Sequence, residues 1–186
     1  MRNGFLILGF AGSLRKRSFN KAILRAAVEL CPDGALIEVF DLEGFPLFNQ
    51  DLENQLPKKV VKFKKKIKSA DAILIVTPEY NYSIPGVLKN AIDWASRPYG
   101  DNSFKGKPVA VMGASIGMIG TARAQYHLRQ SFVFLDMYPI NSPEVFVSNA
   151  EDKIDEKGKL INKESRKLIK ELLENLIKWT KRLKQT

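Results

Sequence analysis

The chain is poor in the residues that carry most metal and nucleophile chemistry. It has one cysteine, Cys31, and one histidine, His127, among 186 residues. A single cysteine excludes an intrachain disulfide and a cysteine-based metal cluster. A single histidine excludes a histidine-rich metal site, so no resident metal is expected. His127 has no nearby partners for a nucleophilic triad and reads as structural or interfacial. Cys31, at the end of a helical pattern beside Pro32, reads as a buried small residue rather than a redox thiol. No apolar run approaches membrane-spanning length. Met1-Arg2-Asn3-Gly4 leads straight into the first apolar run, with no room for a signal peptide. These absences lead to the expectation of a cytoplasmic protein with no membrane partner. A Walker loop and a G-x-G-x-x-G fingerprint are also missing.

Acidic residues are in deficit as well: 30 Lys and Arg face 20 Asp and Glu, a net charge of +10. One basic block is Lys58, Lys59, Lys62, Lys64, Lys65, Lys66 and Lys68, with Val60, Phe63 and Ile67 at helical spacing. A second runs from Lys163 to Lys184, broken by Glu164, Glu171 and Glu174. Both read as solvated faces of amphipathic helices. No helix-turn-helix pattern or basic strand with interleaved aromatics accompanies them, so no nucleic-acid partner is expected.

The length fits a single domain over residues 1–186, and 45% apolar residues suffice for a core. Apolar runs at 5–10, 36–40, 72–77, 108–113 and 144–147 alternate with helical patterns at 19–31, 55–69, 85–97, 121–135 and 162–184. Runs such as Ala72-Ile73-Leu74-Ile75-Val76 do not alternate with polar residues. That is the pattern of parallel strands covered on both faces. The expected fold is α/β, a flavodoxin-like doubly wound sheet of five parallel strands in the order 2-1-3-4-5. Its ligand crevice lies at the carboxyl ends of strands 1 and 3. In that arrangement the helices at 55–69 and 162–184 cover opposite faces, and the two lysine blocks stay apart.

Three loops fall at that crevice. Gly12-Ser13-Leu14-Arg15-Lys16-Arg17-Ser18-Phe19-Asn20 joins a strand to a helix, with hydroxyls and loop amides at a helix N-terminus, which is a phosphate cradle. Thr77 to Gly86 holds two tyrosines and an asparagine between two prolines, a stiff loop with flat apolar rings. Gly113-Ala114-Ser115-Ile116-Gly117-Met118-Ile119-Gly120 permits close backbone approach. Together they suit a phosphorylated planar cofactor, and FMN is the natural candidate.

On these residues the chain resembles the NAD(P)H-dependent FMN reductase family, a flavodoxin-like group that includes quinone, azo-dye and chromate reductases. The matching motifs are G-S-x-R-x-x-S-x-N at 12–20, P-E-Y-N-Y-S-I-P-G at 78–86 with L-K-N-A-I-D-W at 88–94, and G-A-S-x-G-x-x-G at 113–120 with A-R-A-Q-Y-H-L-R at 122–129. Pro46-Leu47-Phe48-Asn49-Gln50-Asp51 resembles the loop after the family's second strand. Thr121 departs from the pattern where many members carry another glycine, which would narrow the turn.

The resemblance implies that Ser13, Arg15, Ser18, Phe19 and Asn20 hold the FMN phosphate and ribityl chain. Lys16 and Arg17 face solvent. Pro78, Glu79, Tyr80 and Asn81 line the isoalloxazine through backbone amides, with Ser83 as a lesser contact. Ser115 and Gly117 approach from the other side. No side chain acts as nucleophile. Hydride passes from NAD(P)H to FMN and onward to a small-molecule electron acceptor, such as a quinone, flavin, azo compound or metal oxyanion, with ping-pong kinetics. Arg15 and Arg97 are candidates for a cofactor 2′-phosphate. Arg123, Tyr126 and Arg129, with Glu144 as a partner, are candidates for a homodimer or homotetramer contact. The alternative is a flavodoxin-type FMN electron carrier, which the positive charge opposes because such carriers are usually acidic.

Overall fold

A computed structural model describes residues 4–185. Four parallel strands, β1 (Phe5–Ala11), β2 (Ala35–Val39), β3 (Ala72–Val76) and β4 (Pro108–Ala114), lie in the order β2-β1-β3-β4. Two short parallel segments continue the sheet beside β4. β5 (Tyr138–Pro139) pairs with Pro108 and Val109, and β6 (Val145–Val147) pairs with Met112 to Ala114. The fifth position of the expected order is thus one strand broken in the middle. Pro139 and Pro143 lack the N–H that an unbroken ladder needs. The apolar pattern revealed only the second half.

Side-chain parity divides the core. Ile7 and Ala11 of β1, Ala72, Leu74 and Val76 of β3, and Ala110, Met112 and Ala114 of β4 face α1 (Phe19–Glu29). Leu8, Phe10, Ile73, Ile75, Val109 and Val111 face the other way. There they meet α2 (Lys58–Ser69), α3 (Gly86–Ala95) and α4 (Ala122–Leu135). A short α5 (Ala150–Lys153) leads to α6 (Lys163–Lys184), which returns to the α1 side through Ile169, Leu172, Leu173 and Leu176. α2 and α6 therefore do cover opposite faces. A 3-10 turn at Gln50–Gln55 precedes α2, whose start is delayed to Lys58 by Pro57.

Two readings of the basic blocks change. Lys64 is not part of a solvated face. It is 4% exposed, and its ammonium donates to the carbonyls of Ala95 (3.2 Å), Arg97 and Asp101 (2.7 Å). Asp101 Oδ2 lies 3.2 Å away. Burial lowers the Lys64 pKa, and Asp101 opposes that shift. The two blocks also meet at one end. Both helices run antiparallel to the strands, so Lys68 and Lys184 reach the same edge of the sheet, in a cleft with Asp71, Lys105 and Lys107. Asp71 pairs with Lys184 there. Lys107 donates to the carbonyls of Lys68 (3.0 Å) and Ala70 (2.6 Å) at the end of α2. These ammonium groups answer negative helix ends. Cys31 is half-buried, and burial raises its thiol pKa.

Lys64→Met would leave three inward-facing carbonyls without their donor. Loss of about 2–4 kcal/mol is expected, read as a lower urea midpoint at unchanged slope. Wild-type stability in this variant would mean that water replaces the ammonium.

Candidate functional site at the carboxyl rim of the sheet

Because β1, β3 and β4 are parallel, the loops that follow Ala11, Val76 and Ala114 leave from one rim. Hydrogen bonds stitch these loops into one body. Gly12 N–H donates to the Val76 carbonyl at 2.8 Å, and Thr77 N–H to the Met112 carbonyl at 3.0 Å. Asn20 spans the first and third loops. Its Nδ2 donates to the Ala114 carbonyl and its Oδ1 accepts from the Ala114 N–H, both at 2.9 Å. Asn20 is buried, so this carboxamide braces the loops against each other.

In the first loop Ser13 and Ser18 are buried. Ser18 caps α1, its Oγ accepting from the Lys21 N–H at 3.4 Å. Leu14, Arg15, Lys16 and Arg17 are exposed, as expected for Lys16 and Arg17. The Arg15 guanidinium lies 5.0 Å from the ring centre of half-buried Phe19, and one of its nitrogens donates to the Arg17 carbonyl at 2.7 Å. Arg17 reaches the Glu156 carbonyl at 3.2 Å.

The second loop is a tight hairpin. Tyr80 and Ser83 exchange both backbone hydrogen bonds, at 3.0 and 2.9 Å. Asn81 and Tyr82 form its tip with φ of 51° and 62°. Asparagine tolerates that conformation. A tyrosine there costs about 1–3 kcal/mol, where such turns favour glycine. The hairpin narrows the expected set of flavin-facing amides. Pro78 has no N–H, and that of Tyr80 is spent on Ser83. The amides of Glu79 and Asn81 remain for a ligand.

α4 grips this hairpin through side chains that the sequence assigned elsewhere. Glu79 Oε2 accepts from the Ala124 N–H at the start of α4, and Oε1 meets Arg123 Nη1, both at 3.1 Å. The Arg123 guanidinium lies 3.9 Å from the Tyr82 ring centre, a contact worth about 0.5–1 kcal/mol when exposed. His127 Nδ1 and Ser83 Oγ share a hydrogen bond at 3.1 Å. Arg123 and His127 stand one turn apart, which is the spacing that could have suggested a common target.

In the third loop the Ser115 hydroxyl is turned into the glycine turn. It donates to the Gly120 carbonyl at 2.6 Å and accepts from the Gly117 N–H at 3.2 Å. Gly117 is exposed. Thr121 does not narrow this turn. It is fully buried, and its Oγ1 accepts from Gln125 Nε2 at 3.1 Å. Its side chain occupies the space that Gly113 leaves free. A Cβ on Gly113 would sit 1.9 Å from Thr121 Oγ1 and 2.3 Å from the Thr77 carbonyl oxygen.

The two motifs at 46–51 and 88–94 are bonded to each other. Asn90 Nδ2 and Trp94 Nε1 both donate to the Pro46 carbonyl, at 2.8 and 2.9 Å, and Asn90 Oδ1 accepts from the Phe48 N–H at 2.7 Å. Arg97 does not reach the rim. It follows the far end of α3, pairs with Glu53 at 2.6 Å and stacks on Tyr99, so it is no candidate for a 2′-phosphate at the crevice. The interface candidates have partners within the chain: Tyr126 with Glu144 at 3.4 Å, and Arg129 with the Ile140 carbonyl at 3.1 Å. Leu14, Tyr80, Tyr82, Ile116, Met118 and Ile119 leave the rim widely apolar and exposed.

Gly113→Ala forces either Thr121 or the β3–β4 ladder to move. The expected cost is about 3 kcal/mol or more, checked by denaturant unfolding. A cost under about 1 kcal/mol would contradict the close packing described.

A cradle of hydroxyls and a guanidinium at a helix N-terminus, free amides on a stiff hairpin, and an open apolar rim form a donor set that fits FMN. Residues 5–152 match the family described as NADPH-dependent FMN reductase. Over 185 residues the chain is 50% identical to an NAD(P)H-dependent FMN reductase of Pseudomonas aeruginosa, covering 99% of this chain and 100% of the relative. It is 44% identical to a 2-hydroxy-1,4-benzoquinone reductase of a Burkholderia species, covering 91% and 93%. Among solved structures, the flavoenzyme NAD(P)H:(acceptor) oxidoreductase FerB of Paracoccus denitrificans superposes with a TM-score of 0.88 at 34% identity, covering 96% and 98%. The chain belongs to the NADPH-dependent FMN reductase family.

Proposed function

We propose that this chain is an NAD(P)H-dependent reductase of quinones and free flavins, acting through bound FMN. The observation that carries the reading is the union of three loops into one rigid, apolar-edged cradle at the carboxyl rim. Ser13, Arg15, Ser18 and Phe19 would hold the phosphate and ribityl chain, with Asn20 bracing their loop. The Glu79 and Asn81 amides would meet the flavin edge, beside Pro78, Tyr80 and Ser83. Ser115 and Gly117 would close the opposite side. Bound there, FMN supplies the two-electron chemistry, taking hydride from NAD(P)H and delivering the electrons to the acceptor.

The benzoquinone reductase among the relatives, and a structural neighbour that passes electrons from NAD(P)H to an acceptor, favour NAD(P)H as donor and a quinone as acceptor. The exposed rim offers flat apolar surface and few polar contacts that would reject a foreign acceptor, so azo compounds and metal oxyanions are secondary substrates in this reading. One slot must take donor and acceptor in turn. A homodimer or homotetramer through α4 is part of the same proposal, and its outer surface exposes Tyr126, Val133 and Phe134. The described residues include no helix long and apolar enough to cross a membrane.

Purified protein should carry the visible bands of oxidised FMN, and NADPH alone should bleach them within seconds under anaerobic conditions. Initial rates with a benzoquinone should then give parallel double-reciprocal lines. Bleaching only through an added partner reductase would favour the electron carrier. Intersecting lines would mean that both substrates bind together. Sedimentation equilibrium at micromolar concentration should give a mass of at least two chains, and a monomer would end the α4 contact.

A further inference from the structure

The hairpin at 79–83 is held in a conformation that its own sequence disfavours. Tyr82 sits at φ 62°, with a bulky side chain where glycine would be at ease. The backbone bonds that close the hairpin are the two exchanged by Tyr80 and Ser83, and these do not choose where it points. The direction comes from α4. Arg123 places its guanidinium over the Tyr82 ring at 3.9 Å and its Nη1 on Glu79 at 3.1 Å. The same carboxylate caps α4 through the Ala124 N–H. The Glu79 side chain is only 11% exposed, so its charge needs this partner. One arginine therefore touches the hairpin at its base, Glu79, and at its tip, Tyr82, and the amides of Glu79 and Asn81 lie between or beside those contacts.

We propose that Arg123 is a positioning residue for the cofactor: it acts through Glu79 and Tyr82 to hold the 79–83 hairpin in its left-handed form, so that the Glu79 and Asn81 amides are already aimed at the flavin edge before FMN arrives. This rests on the placement of the flavin argued above. The clasp lowers the ordering cost of binding, because the loop does not have to find the strained form at that moment. A methionine at 123 keeps the apolar stem and loses both contacts. A lysine keeps the charge for Glu79 and loses the planar stack on Tyr82. Glycine at 82 accepts the positive φ without help, so it should remove the part of the clasp that acts through Tyr82 and leave only the part that acts through Glu79.

The test measures FMN dissociation constants of the apoprotein by flavin fluorescence, with circular-dichroism melts as a control on folding. Arg123→Met should weaken FMN binding about tenfold, and Arg123→Lys by a smaller factor. In the Tyr82→Gly background, adding Arg123→Met should weaken binding by a clearly smaller factor, about threefold, because only the Glu79 contact is left to lose. That rescue is specific to the hairpin, since a loss of general stability would persist with glycine at 82. Glu79→Gln, which keeps the bond to α4 and removes the charge, should weaken binding several-fold. It serves as the second variant if Arg123→Met does not fold. The proposal is overturned if Arg123→Met binds FMN as the wild type does, or if its effect is undiminished beside Tyr82→Gly. A wild-type apoprotein that ignores micromolar FMN would overturn the flavin reading itself, and this inference with it.

Discussion

Two hydrogen bonds between the Asn20 carboxamide and the backbone of Ala114, one donated and one accepted, join the start of α1 to the end of β4. The rim depends on this brace. A parallel sheet ends with unpaired backbone groups at its carboxyl edge, and each must find a partner or water. Here Asn20 satisfies a buried N–H and a buried carbonyl of a strand whose own neighbour, β6, is only three residues long. The phosphate-type loop and the glycine turn are thereby fixed relative to each other. Gly113 completes the join from the other side, since its missing side chain lets Thr121 fill the space below the β3–β4 ends. Packing this tight leaves no room for gradual adjustment.

The second loop is secured differently, by charge and stacking from α4. Glu79 answers two needs at once, an acceptor at a helix N-terminus and a carboxylate for Arg123. The result is a rim with a rigid base and an exposed apolar lip. Rigidity lies in the groups that would hold the phosphorylated cofactor. Openness lies where a second molecule would approach, at Tyr80, Tyr82, Ile116 and Met118. In the proposed function such a site would distinguish its cofactor sharply and its second substrate loosely, because only the former would meet directional polar groups.

Much of this was legible from residues alone, for definite reasons. β1, β3 and β4 are apolar without alternation because helices cover both faces, and that pattern survives in any register. The helices show themselves by spacing, as in α6, where Ile169, Leu172, Leu173 and Leu176 return to the core at intervals of three and four. The loop motifs lie at the strand-to-helix junctions where a doubly wound sheet places ligands. The broken fifth strand was half hidden, because Tyr138-Pro139 is too short and too polar in pattern to stand out. Lys64 hides for the opposite reason: six other lysines share its block, and although its spacing of four from Val60 and three from Ile67 puts it on the apolar face, its charge argues for solvent until its carbonyl partners are seen.

Local chemistry thus determined the elements, their succession along the chain and the rim at which the candidate residues gather, since hydrophobic periodicity and turn residues act over a few positions. Which polar side chain would serve the ligand and which would serve the scaffold was decided only in three dimensions. Asn20 meets Ala114 across 94 residues, and Glu79 meets Arg123 across 44. A carboxamide or a carboxylate has the same capacity to bond a cofactor or a distant backbone. Only the packed arrangement of helix against sheet brings one of those partners within reach.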